Sequence, residues 1–159
     1  MNATTEHIRP LLQSMLVADH YYQDRATGKH VLAGIFNRMY VGEIEHQKSD
    51  SGETVLMPQP GGFRSGSPFA FLSLTEIYGH QDLSLRYSQF DSEKVLFEIR
   101  FGITAGSPLE VAEVAFPLPP LPGMIGHFEL AAIWRNEVLG SYRINVLPME
   151  KMNTPKGEN

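Results

Sequence analysis

The chain contains no cysteine, which excludes both a disulfide framework and a thiolate metal site. Positive charge is in short supply: 13 Lys and Arg stand against 18 Asp and Glu, for a formal net charge of −5. The basic residues are scattered, so no cationic face is expected to follow a phosphate backbone and nucleic-acid binding is disfavoured. No segment approaches the roughly 20 apolar residues of a spanning helix. The opening residues also lack a basic stretch followed by an apolar one, with Pro10 and Gln13 interrupting them, so neither a leader nor a membrane partner is predicted. These absences together favour a reducing, cytoplasmic setting.

What the sequence does contain is a series of short apolar-alternating segments cut by Gly, Pro, Asn and Asp. Val95, Phe97, Ile99 and Phe101 alternate, as do Val114, Phe116 and Leu118. So do Phe128, Leu130, Ala132 and Trp134, and then Tyr142, Ile144 and Val146. Period two places large side chains on one face of a pleated strand. The fold predicted is all-β: a single antiparallel β-sandwich of about eight strands with Greek-key connections, immunoglobulin-like or C2-like. Strands are expected at Ser14–Tyr22, Lys29–Tyr40 and Phe69–Tyr78, then around Leu83, Leu85 and Tyr87. Four more are expected at Val95–Thr104, Glu110–Leu118, Gly126–Trp134 and Val138–Leu147. Asp24 to Gly28 reads as a turn, and the last two strands as a hairpin over Arg135, Asn136 and Glu137. Leu11, Leu12, Met15 and Leu16 also fit a short amphipathic helix. The expected core is Leu85, Tyr87, Phe97, Ile99, Val114, Phe116, Phe128, Leu130, Trp134, Ile144 and Val146.

The sandwich domain is expected over residues 10–147, between a flexible N-terminus (1–9) and a disordered tail (148–159). Within it, residues 43–68 are rich in Gly and Pro and read as one long irregular loop, with Thr54–Met57 as a short strand inside it. Residues 45–66 are the expected protease-sensitive part.

Ala18-Asp19, Asp24, Thr27-Gly28-Lys29-His30 and Gly34-Ile35-Phe36-Asn37 resemble the opening of a bacterial family of small β-sandwich proteins. That family is a domain of unknown function. The stretch from Phe116 to Pro122, the segment Glu137-Val138-Leu139-Gly140 and the final alternating strand resemble it as well. The resemblance spans most of residues 11–147 and departs at Glu43–Pro68, which is longer here. It implies a sandwich fold and no particular chemistry.

Candidate chemistry is thin. Thr27-Gly28-Lys29-His30 fails as a phosphate loop: such a loop needs Gly where Gln23 stands and Ser or Thr where His30 stands, followed by a helix. None of the six histidines forms a metal-binding motif. Pairing of the first two strands would nonetheless bring Asp19, His20, Asp24 and His30 to one end, which the turn carrying His80 and Asp82 could also reach. Imidazole and carboxylate there would hold zinc or act as an acid–base pair. No loop offers the paired aspartates that calcium favours, and no nucleophile elbow is present.

The leading reading is therefore a non-enzymatic interaction or accessory module of the bacterial cytoplasm. It has no catalytic, cofactor-binding or metal-binding residues and no cofactor, and it would meet a protein partner, or its own copy, through a sheet edge. A small-ligand or carbohydrate-binding sandwich using the 43–68 loop is the alternative. A metal-dependent enzyme using Asp19, His20, His30 and His80 is the third.

Overall fold

Turn chemistry sets the frame on which the sheets are built. In the computed structural model, Asp24 accepts hydrogen bonds from Ala26 N (2.9 Å) and Thr27 Oγ1 (2.7 Å), while Gly28 takes a φ of 70°. These hold the chain in a tight reversal. They also pull the Asp24 carboxyl below its usual range, Thr27 being the larger cause. Arg135 and Asn136 both take left-handed φ values, 49° and 66°. That makes the last hairpin a two-residue turn whose twist matches its strands.

The structure describes residues 8–41, 45–48, 54–57 and 67–149. Among them lie eleven strands: β1 (Leu11–Gln23), β2 (His30–Ile35), β3 (Arg38–Val41), β4 (Glu45–Lys48), β5 (Thr54–Met57), β6 (Phe69–Thr75), β7 (Gly79–Gln89), β8 (Val95–Ala105), β9 (Ala112–Pro117), β10 (Gly126–Trp134) and β11 (Glu137–Pro148). One sheet has the order β2-β1-β6-β9, the other β3-β11-β10-β7-β8, and β4-β5 form a small antiparallel pair. No helix occurs among the described residues, so Leu11 to Leu16 are strand. The architecture is all-β and sandwich-like, with the core between the two larger sheets, but it is not wholly antiparallel as expected: β3 pairs parallel with β11, from Arg38↔Asn145 to Val41↔Pro148. Met15, Val17, Ala70 and Leu72 of the first sheet are buried in one cluster with Leu85, Tyr87, Leu130 and Ile144 of the second.

Four further expectations change. The strand foreseen at Lys29–Tyr40 is two strands, β2 and β3, in different sheets. Gly34, inside β2, takes a φ of 71°, and a Cβ there would sit 2.6 Å from an Asp19 carboxylate oxygen; the chain leaves β2 after Ile35 and enters β3 at Arg38. Glycine is required at position 34. Secondly, Phe97, Ile99, Val114 and Phe116 are only partly buried against the core, because β8 and β9 are outermost in their sheets among the described residues. Thirdly, Pro148 ends β11 rather than beginning the tail, and its neighbour Met149 donates its N–H to Val41 O at 2.9 Å. Finally, the stretch 43–68 is not irregular throughout. Besides β5, it contains β4, paired with β5 from Glu45↔Met57 to Lys48↔Thr54. The rest of that stretch up to 66, residues 1–7 and residues 150–159 lie outside the described residues, with the expectations of flexibility, disorder and protease sensitivity made for them.

The β1–β2 hairpin lies against the outer face of its own sheet. Ala18 and Phe71 are buried yet stand outside the core cluster, so something covers them from the other side. His30 and Tyr21 do so: the His30 ring packs 5.2 Å from that of Phe71, and Tyr21 5.8 Å from Phe69. Across the core, Tyr142 of β11 donates its hydroxyl to Phe36 O at 2.8 Å. The buried Trp134 satisfies its indole N–H on Gln81 at 2.9 Å.

Candidate interaction surface

The histidines and aspartates singled out in the sequence do not form one centre. His30, beneath the hairpin, has Nδ1 2.9 Å from the Tyr21 hydroxyl and Nε2 3.2 Å from Glu113 Oε2 of β9. Both ring nitrogens are occupied, so the imidazole clamps the hairpin to the sheet and has none left for a metal or a substrate proton. His80 lies in the other sheet, with Nδ1 3.0 Å from Thr104 Oγ1 and Nε2 3.2 Å from Asp82. Asp19 sits against Gly34, His20 is exposed, and Asp24 holds its own turn. Among the described residues no three His, Asp or Glu side chains come together as a metal site would need. Tyr21 and Glu113 were invisible as partners of His30 in the sequence, because the three residues lie on β1, β2 and β9 and only the tertiary arrangement of those strands joins them.

Cavities are shallow. One of about 290 Å³ lies beside Asp19 and is lined by Phe36, Arg38 and Tyr40. Another, of about 340 Å³, is a trough on the outer face of the second sheet, walled by Arg86, Glu98, Arg100 and Arg135.

Exposed apolar side chains occur at both ends of the sandwich, with Tyr40, Phe90, Val95, Met124 and Ile125 at one; the other end carries them on a loop held by hydrogen bonds. The strand registers bring together the start of β1, the β6–β7 turn, the β8–β9 loop and the β10–β11 turn. Six large apolar side chains there are exposed: Ile8, Leu11, Tyr78, Leu109, Val111 and Val138, with Leu109 at 86%. The β8–β9 loop that carries Leu109 is tied down by its own polar groups. Gly106 N donates to Glu110 Oε2 (3.1 Å), Leu109 N to Ser107 Oγ (3.3 Å) and Glu110 N to Ser107 O (3.1 Å). Glu76 N reaches across to Pro108 O (3.0 Å), and the buried Ile77 anchors the neighbouring turn. Arg9 closes the rim by donating to Val138 O (2.8 Å) and pairing with Glu137 (3.4 Å). An apolar side chain presented on a pre-ordered loop, ringed by charges, loses little entropy when a partner covers it. A leucine set between Ser107-Pro108 and Glu110, in a turn rather than a strand, was the sequence signal that reading for strands passed over.

No protein-family model matches the chain, and no curated protein matches it. Among the described residues no helix is long and apolar enough to cross a membrane.

Proposed function

We propose that the protein is a non-enzymatic interaction or accessory module of the bacterial cytoplasm that docks a protein partner on its apolar pole. The observation that carries this reading is the exposed, braced loop of Leu109 with Leu11, Tyr78 and Val111 around it. Apolar patches of this kind, rimmed by polar groups, mark contact surfaces. The saturated hydrogen bonding of His30 and His80 supports a structural role for both over an acid–base one. Membership of the β-sandwich family that residues 11–147 resemble belongs to the same proposal. So does a Greek-key arrangement of immunoglobulin-like or C2-like type, supported by the connections β2–β3, β6–β7, β8–β9 and β9–β10, which pass from one sheet to the other.

Affinity capture from the native host, run in parallel with wild type and with Leu109→Asp/Val111→Asp, tests the reading. A protein retained by wild type and lost by the variant, at unchanged melting temperature, is the expected result. Identical capture by the two proteins overturns it. A second reading, a small-ligand site, is supported by the cavity beside Asp19 with Phe36 and Tyr40 in its wall.

A further inference from the structure

β8, which runs into the apolar pole at its C-terminal end, offers a free lateral edge. It is 11 residues long and among the described residues its only strand partner is β7. A long unpaired edge is a template for another strand unless it is blunted. Here the inner-facing side chains are incompletely covered as well: Phe97, Ile99 and Phe101 are only half-buried against the core. The opposing sheet ends at β9, where Phe116 meets Phe101 at 5.2 Å between rings.

We propose that β8 pairs with β8 of a second copy of this chain, antiparallel about a two-fold axis at Ile99. The segment Phe97-Glu98-Ile99-Arg100-Phe101 is self-complementary about its centre. In that register Phe97 opposes Phe101 of the second copy, Ile99 opposes its equivalent, and Glu98 opposes Arg100. The three apolar residues share the inner face and the two charges share the outer one, as strand alternation requires. Two Glu–Arg pairs then flank the axis. A two-fold contact must be self-complementary in this way.

Charge selects the register. Centring the axis on Glu98 or on Arg100 would set like charges directly opposite each other, which is destabilising in an antiparallel pair. Arg100 is available for the new contact: its side chain is 88% exposed, and its Nε lies 3.8 Å from Glu98 Oε1. Glu98 is meanwhile held in place by Arg86 Nε at 3.1 Å, so the carboxylate is positioned before the partner arrives. The pairing joins the five-stranded sheets of two copies into one continuous sheet and extends cover over the half-buried aromatic row.

Sedimentation velocity on the full chain tests this with a charge exchange. Wild type is expected to be a dimer. Arg100→Glu and Glu98→Arg, each alone, are expected to be monomers at the same concentration, while an equimolar mixture of the two restores a dimer. A wild type that remains monomeric up to its solubility limit overturns the proposal. So does a dimer unaffected by either substitution, or a mixture that stays monomeric while both variants melt cooperatively. Amide hydrogen exchange on wild type gives an independent reading if a variant fails to fold. Protection over residues 97–101 rises with protein concentration if the edge pairs, and an unchanged pattern overturns the pairing.

Discussion

Replacing Tyr87 by Phe is expected to stabilise the protein. Tyr87 is fully buried, stacked between Phe97 and Phe128 at ring separations of 5.1 and 5.4 Å. Its hydroxyl has no hydrogen-bond partner among the described residues. Burial pushes the phenol well above its usual range. An unpaired hydroxyl taken out of water costs about 1–3 kcal/mol. Phenylalanine keeps both ring stacks and removes that cost, leaving only a void the size of one oxygen. The net gain is therefore ~1 kcal/mol, or roughly 2–4 °C in melting temperature for a domain of this length.

The same substitution has a pH signature. The folded state holds the phenol proton after the unfolded chain has released it, so this group costs stability as pH rises above about 10. That part of the alkaline loss disappears in Tyr87→Phe. Thermal unfolding at neutral and alkaline pH measures both effects. A variant that melts below wild type would mean that the hydroxyl has a partner and that its burial is not a cost.

Other outcomes follow from burial and bonding. Phe128→Ala should cost about 3–5 kcal/mol, whereas the half-buried Phe97→Ala should cost roughly 2 kcal/mol, and denaturant unfolding separates them. His30→Ala removes contacts to Tyr21 and Glu113, a loss of about 1–3 kcal/mol. It should raise hydrogen exchange across β1 and β2 while leaving β10 and β11 protected; a uniform rise would count against the clamp. The melting temperature should be the same with and without excess EDTA, because a bound metal would add about 2.7 kcal/mol at a hundredfold excess over its dissociation constant. A drop of several degrees on chelation would reopen the metal reading.

The strands were legible where alternation is strict. The segment at Gly126–Trp134 has the predicted bounds, and β8 and β11 differ from expectation only at their ends. Tyr87, Phe128 and Leu130 are buried as their pattern indicates. Edge position was not legible, because Phe97 and Phe116 alternate just as central residues do and only sheet order decides what covers them. The division of β2 from β3 was hidden for a related reason. Gly34 stands near the middle of the segment Lys29–Tyr40, but whether a chain bends within a sheet or crosses to the next depends on tertiary pairing. The interaction surface escaped reading for strands altogether, since Leu109 lies in a loop and its exposure comes from hydrogen bonds among its neighbours.

Site-specific photo-crosslinking in the native host tests the central claim most directly, with the reactive group at Leu109 and a control at Glu129 on the outer face of the second sheet. A covalent adduct with one protein at Leu109 and none at Glu129 is the expected result. No adduct at Leu109, or the same adducts at both positions, would contradict that claim.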